Sequence, residues 1–414
     1  MLSDAIMVLD TVIFGGGAAG LWLLDELARR GTSALLLETI ALGSGQTVAS
    51  QGIIHGGLKY TLNGILSGSA KSIREMPLLW EQCLAGTRQP NLTGTRIRAR
   101  ACHLWRTDSL SSRLGMIGAR VGLRVAPHSI EESDRPHVLQ NCPGQVALLE
   151  EVVISPRSFI EDLANRNLDK ILLCDGDRGI TFELHGPGKL SAVHLTEPGT
   201  NRKLTVHPKH VVFTAGRGNA ELRAKSGLSA EAMQRRPLHM VVVRGELPEL
   251  NGHCVDGAHT RATITSDVDR LGRRVWQIGG QIAEDGVRMG ETELVAHAQR
   301  ELESIVPGID LSLAEWSTYR VDRAEGTMPG GTRPETVQIL HEGNILTAWP
   351  TKLALVPILV EKLIDALQPL VLGEPAFGGI PQDWPRPSVA EPPWETATSW
   401  HPSARPDRSL RRAA

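Results

Sequence analysis

The chain has 414 residues, enough for about two or three domains. Its 44 Lys and Arg nearly balance 46 Asp and Glu, for a formal net charge of -2, so no strong positive field draws it to phosphate backbones. Aromatics are scarce (9 Trp, 5 Phe, 2 Tyr), which removes the flat platforms of a single-stranded nucleic-acid binder.

Chain order begins with a βαβ pattern. Thr11-Val12-Ile13-Phe14 reads as a short strand, Gly15 to Gly20 as a turn, and Leu21 to Arg30 as a helix with Leu23, Leu24 and Leu27 on one side. Ala34 to Leu37 is a continuous apolar run, the mark of a parallel strand buried on both faces, and it closes on Glu38. No basic n-region precedes Arg29, and Asp4, Asp10, Asp25 and Glu26 interrupt the apolar stretch, so neither a signal peptide nor a membrane span is expected there.

Further along, Pro156 opens a helix to about Asn165, followed by strands at 171–173, 180–184, 190–195, 204–206 and 210–214. Runs at 240–243, 262–265 and 275–278 suit an antiparallel sheet, and Glu291 to Ile305 an amphipathic helix. The segment after Leu370 is rich in proline and expected to be mostly irregular. Cys83, Cys102, Cys142, Cys174 and Cys254 are widely spaced, with no C-x-x-C pair, which fits reduced cytoplasmic thiols and supplies no metal ligand set.

The strongest motif is Gly15-x-Gly17-x-x-Gly20 between strand and helix, with Glu38 at the end of the next strand. The first glycine permits the turn, the second lets a pyrophosphate approach the N–H groups of a helix N-terminus, and the third lets helix pack on strand. Glu38 is placed to accept hydrogen bonds from ribose hydroxyls. This segment alone leaves FAD and NAD open.

Thr47 to Tyr60, with Ile54-His55-Gly56-Gly57-Leu58-Lys59-Tyr60 at its end, resembles the stretch after the ribose acid in the FAD-dependent D-amino-acid oxidase superfamily, and within it the FAD-linked glycerol-3-phosphate dehydrogenases. Pro156-Arg157-x-Phe159-Ile160, Val211 to Gly216, and Asn344 to Thr347 followed by Pro350 to Leu353 are similar to later segments of that superfamily, in family order. The resemblance implies an α/β chain with a Rossmann-like FAD-binding domain and a β-rich α+β substrate domain. It implies FAD contacts at Gly15, Gly17, Ala18, Ala19, Gly20, Glu38, Thr39, Thr47, Ser50, Gln51, Gly52 and His55, at Val153, at Ala215 and Gly216, and at Thr351, Lys352 and Leu353, with the segment from Pro156 placing backbone beside the adenine. The expected FAD domain comprises 1–75, 150–235 and 325–370. The cap comprises 76–149 and 236–324, and 371–414 is a tail.

The implied activity takes a hydride from a small polar, anionic amine, amino acid or hydroxy compound, with oxygen or a quinone as electron acceptor. A flavin-bound subunit without turnover is the alternative. Trp316-x-x-x-Arg320 is similar to the placement by which amine and amino-acid oxidases offer an Arg to a substrate carboxylate, with Arg323 as a rival anchor and an ion pair with Asp322 or Glu325 as the plain alternative for Arg320. His55 reads as a base, as a point of covalent flavin attachment, or as a packed structural histidine. Lys59, Tyr60 and Tyr319 are expected near the same cavity, and His239 on its far side. Lys352 falls just before a helix that starts near Ala354, with Pro357 tolerated in its first turn.

Overall fold

A computed structural model describes residues 5–56, 68–107, 128–176, 178–200, 202–256, 259–367 and 380–403. Strand Ala5–Phe14 delivers the glycine turn to helix Ala18–Arg29, which returns to strand Ala34–Glu38. Ala5–Phe14 pairs in parallel with Ala34–Glu38 on one side and Lys203–Phe213 on the other. Ile345–Trp349 and Ile171–Leu173 extend the parallel set outward, and the antiparallel Gln338–Glu342 forms one edge.

Both faces of this sheet are covered, which explains its unbroken apolar strands. Ile13, Leu36, Val212 and Leu346 point into a core with Leu24, Phe159 and Leu359 of three helices, while Val12, Leu35, Val211 and Phe213 face Ile180 and Val193 of the hairpin Ile180–Leu184/Leu190–Thr196. The sequence suggests separate strands at 204–206 and 210–214; they form one strand, Lys203–Phe213, because its length is set by pairing with Ala5–Phe14. Met76, Trp80 and Cys83 of helix Gly68–Leu84 lie in this same core, with Trp80 edge-on to Trp22 at 5.0 Å, although the sequence places residues from 76 onward in the cap.

Among the described residues the second sheet has nine strands, antiparallel except where Gly252–Asp256 runs parallel to Cys102–Arg106. Met233–Gly245 and Glu315–Gly326 form its longest pair. Helix Glu291–Ile305 buries Leu294, Ala298, Leu302 and Ile305 against Val241, Trp276 and Trp316 on one face of the sheet. The other face meets the loop that follows Glu38: Gln51 Nε2 donates to Thr263 O at 2.8 Å and to Gln277 O at 2.9 Å. All five cysteines are buried and free. No helix among the described residues is long and apolar enough to cross a membrane.

Of the tail, the described residues 380–403 are irregular apart from a bridge at Val389, a short helix at Pro393–Thr396 and a two-residue strand at His401–Pro402. They are nevertheless well packed. Leu173 N–H donates to Pro385 O and Leu42 N–H to Ser388 O, Trp394 is buried against Val242 and Val275, and His401 pairs with Trp316.

Candidate active site

The glycine turn is fixed by contacts that admit no side chain at two of its three positions. Gly15 has φ +102°, and a Cβ there would lie 2.4 Å from Ala215 Cα, so the first glycine allows the end of Lys203–Phe213 to close on the turn. A Cβ on Gly20 would lie 2.0 Å from Gly15 O. Gly17 differs, since a Cβ there would meet only Thr47 Oγ1 at 3.2 Å and would otherwise project into open space before the helix N-terminus. Ala18 N–H donates to that same Thr47 Oγ1 at 3.3 Å, while Ala19 is buried in the first turn.

Glu38 is buried and accepts from the N–H groups of Gly16 at 2.7 Å, Thr39 at 2.8 Å and Ile40 at 3.0 Å. The carboxylate assigned to a ribose therefore also braces the turn, with about one acceptor direction of four left for a ligand. Thr39 packs beside Gly176. Ser50 Oγ is buried with no hydrogen-bond partner among the described residues, a polar orphan on the loop facing the turn. The open space at Gly17, the unmatched Ser50 hydroxyl and the donor-rich helix start fit a dinucleotide with a charged pyrophosphate.

Other positions expected near the cofactor sit as follows. Gly52 has φ +71° and its N-side loop meets Ile154, whose N–H donates to Gly52 O; Val153 is fully buried and bridges to Ile53. Gly216 has φ +56°, and Ala215 N–H donates to Asn219 Oδ1 at 2.8 Å. Thr351 is buried with φ +60°, the one non-glycine residue in the left-handed region among those described, and such strain concentrates at functional sites. Lys352 then precedes the short turn Leu353–Leu355 and helix Val356–Ala366, whose first turn contains Pro357.

His55 lies at the end of the same loop. Its Nδ1 is 3.4 Å from Glu151 Oε2, and His253 Nε2 is 3.5 Å from that same oxygen. Glu151 Oε1 accepts from Gly56 N–H at 2.8 Å, and His253 Nδ1 meets Thr263 Oγ1 at 2.9 Å. Burial pushes the Glu151 carboxyl up, but the two imidazoles outweigh it and hold the group well below the usual carboxylate range. The three donor atoms lie within 4.8 Å of one another, a compact set that a divalent cation also suits. Neither Glu151 nor His253 belongs to a recognisable motif, and about a hundred residues separate each from the next member of the cluster. Lys59 and Tyr60 fall outside the described residues.

The register of Met233–Gly245 with Glu315–Gly326 sorts the substrate candidates by face. His239 pairs with Arg320, Met240 with Tyr319, and Arg236 with Arg323. Alternation puts Arg320 on the face of Trp316, which is core, and Arg323 on the face of Tyr319. Arg320 donates to Val287 O at 3.0 Å and Met289 O at 2.9 Å. His239 is buried beside it, between Gly286 O at 3.1 Å and Thr318 Oγ1 at 2.9 Å, and its burial lowers its proton affinity. The parity of Trp316 and Arg320 was readable in the sequence and is the signal that separates Arg320 from Arg323.

Tyr319 faces the loop. Its hydroxyl donates to Ala49 O at 2.9 Å and accepts from Gln277 Nε2 at 2.5 Å, and burial pushes the phenol up. Toward the end of the same face, Arg236 grips the fully buried Glu325 through two bonds of 2.7 and 2.8 Å, and Arg323 Nη2 donates to Glu284 at 3.0 Å. Arg323 Nε is buried without a partner among the described residues. Arg333 is exposed and interacts with the charges of Arg236, Glu325 and Glu284. Three guanidinium groups thus face two carboxylates.

The parallel sheet, glycine turn and acid define a dinucleotide-binding oxidoreductase carrying a second sheet over its cofactor loop. The chain matches the FAD dependent oxidoreductase (DAO) family over residues 10–344 and belongs to that family; it is an FAD-dependent oxidoreductase. It is 39% identical over 393 residues to a probable FAD-dependent oxidoreductase of Pseudomonas aeruginosa, covering 94% of this chain and 98% of that one. The crystal structure of an FAD dependent oxidoreductase from the same organism matches with a TM-score of 0.80 at 35% identity, covering 96% and 99% of the two chains. Glycine oxidase from Geobacillus kaustophilus shares the fold at a TM-score of 0.61 and 18% identity, over 92% of this chain and 99% of its own. FAD-bound L-alpha-glycerophosphate oxidase from Mycoplasma pneumoniae does so at 0.61 and 15%, over 87% and 94%.

Proposed function

We propose that this enzyme oxidises a small anionic amine or hydroxy compound, with His55 as the base and Arg323 and Arg333 as the anion anchor. The observation that carries the anionic substrate class is the excess of guanidinium groups where Arg236 and Arg323, on the sheet face that also meets the 47–52 loop, come near Arg333 of the loop after the strand. A carboxylate or phosphate would satisfy the Arg323 Nε that is unmatched among the described residues. This reading leaves Arg320 out of the anchor, because its guanidinium already donates to two backbone carbonyls and lies on the opposite face from Arg323.

Bound FAD supplies the two-electron acceptor. The chain's share of the chemistry is to hold the substrate and take its proton. With Nδ1 directed at Glu151, His55 has Nε2 as the atom that takes a proton from a substrate hydroxyl or amine. Gly15, Gly17, Gly20 and the Thr47–Gly52 loop would hold the pyrophosphate, and Lys352 at the start of its helical turn would stabilise negative charge on the flavin ring.

The test is anaerobic flavin bleaching across D-amino acids, N-methyl amino acids, 2-hydroxy acids and glycerol 3-phosphate, with neutral amines and alcohols as the contrast. Bleaching by one anionic class supports the reading. Bleaching by neutral amines or alcohols alone refutes it.

A further inference from the structure

Glu151 is 5% exposed, yet its Oε2 makes no hydrogen bond among the described residues. Two imidazoles face that oxygen, with His55 Nδ1 at 3.4 Å and His253 Nε2 at 3.5 Å. Charge-assisted hydrogen bonds close to about 2.7–2.9 Å, so both nitrogens stand off from the carboxylate by about 0.6 Å. The spacing is instead that of ligands around an ion: bonds of about 2.0–2.1 Å to a tetrahedral zinc set its ligand atoms about 3.3–3.4 Å apart. All three donor atoms lie within 4.8 Å of one another.

The groups behind the donors hold them in place. Glu151 Oε1 accepts from Gly56 N–H at 2.8 Å, which leaves Oε2 to the rings and ties the carboxylate to the loop that carries His55. His253 Nδ1 meets Thr263 Oγ1 at 2.9 Å, the outer contact that metal-bound histidines make on the nitrogen away from the ion. That hydroxyl donates or accepts as the ring requires, so the contact fixes the direction of the ring and not its charge. His253 arrives on strand Gly252–Asp256 of the second sheet and His55 on the loop that follows Glu38 of the first, so the donor set bridges the two sheets. The His55 side chain is 32% exposed and supplies a way in from solvent. Three protein donors leave the fourth corner of a tetrahedron to water.

Resting on the reading of His55 as the base, we propose that His55, Glu151 and His253 bind one first-row divalent cation of the zinc type, and that the bound ion switches the base off. Two imidazoles and one carboxylate select such an ion over magnesium or calcium, which favour oxygen ligands throughout. An ion on His55 Nδ1 leaves the one proton of the ring on Nε2, the atom that otherwise takes the substrate proton. Oxidation of the substrate then lacks the proton acceptor that must accompany loss of its hydride.

The test uses chelator-washed holoprotein dialysed against Zn²⁺ alone, with bound zinc counted per chain by elemental analysis. One zinc per chain is expected, retained against an excess of Mg²⁺. His253→Gln and Glu151→Gln should each weaken zinc binding more than about 100-fold, since loss of a direct ligand exceeds the 10–100-fold cost of losing an outer partner. Thr263→Val, which keeps the branched shape of the side chain, should weaken it about tenfold and decides the matter where a ligand variant does not fold. Absence of stoichiometric zinc, its displacement by Mg²⁺, or unchanged affinity in these variants overturns the proposal.

Filling the site should slow flavin reduction by substrate about 100-fold or more, in step with the zinc bound, and a chelator should restore it. Full occupancy with unchanged reduction overturns the switch. Zinc counting needs no substrate, so a protein that binds zinc as expected while no compound bleaches its flavin would defeat the functional reading alone.

Discussion

Replacing Gly17 by alanine separates what the turn needs for itself from what it needs for the cofactor. The backbone at Gly17 is ordinary, with φ -82° and ψ -173°, and the added methyl would meet only Thr47 Oγ1 at 3.2 Å. The apoprotein should therefore lose at most about 1 kcal/mol, the usual cost of alanine at a helix N-cap position. The same methyl occupies the approach of a pyrophosphate to the first N–H groups of helix Ala18–Arg29. Losing two charge-assisted hydrogen bonds at about 1.5–3 kcal/mol each weakens FAD binding by about 3–6 kcal/mol, or about 10²–10⁴-fold. Titration of apoprotein with FAD by calorimetry reads the affinity, and thermal melting without FAD reads the fold. Gly20→Ala is the contrast, because its methyl would lie 2.0 Å from Gly15 O and should damage both. If Gly17→Ala bound FAD within about threefold of wild type, the pyrophosphate would have to lie elsewhere.

Arg323→Ala should raise KM for the anionic substrate about 10–100-fold with a smaller change in kcat, whereas Arg320→Ala, which removes only donors to backbone carbonyls, should change KM by less than about threefold; steady-state kinetics with both variants checks the assignment. Asp10 offers a pH test of the fold: burial raises its carboxyl, but Lys209 and Ser33 outweigh this and lower it from 3.8. Its stabilisation is thus present above about pH 3.8 and is lost as the pH falls through its lower folded value, so Asp10→Asn should cost about 1–2 kcal/mol at pH 7 and flatten the acid limb in urea melts. Trp394→Ala should cost about 3 kcal/mol by opening the surface over Val242 and Val275, seen as a Tm lower by several degrees at unchanged FAD content.

The local grammar of this chain was readable: the glycine turn, the apolar strand ending on Glu38, and helix Glu291–Ile305 all follow from periodicity and turn residues. Pro357 correctly marks a helix start because a first-turn N–H has no intrahelical partner. What depends on pairing between distant segments was not readable. Trp80 joins the first core rather than the cap because Trp22 and Phe159 face it, and no nearby sequence says so. Glu151 and His253 are unremarkable until the two-sheet arrangement brings them to His55. The positive φ of Thr351 is likewise a product of the surrounding packing and not of its own preference.

Residues 380–403 cross from one sheet to the other, and this constrains how the enzyme can move. Trp384 and Pro385 are held by Leu173 at the edge of the first sheet, Ser388 and Ala390 clasp Leu42, and His401 and Ser403 are bonded to Trp316 at the edge of the second. A swing of one sheet away from the other would have to tear these attachments together, so the segment works as a seat belt across the mouth of a hinge. Separation of the two sheets is therefore opposed by several attachments at once, which leaves local displacement of loops as the less costly way for substrate and product to pass.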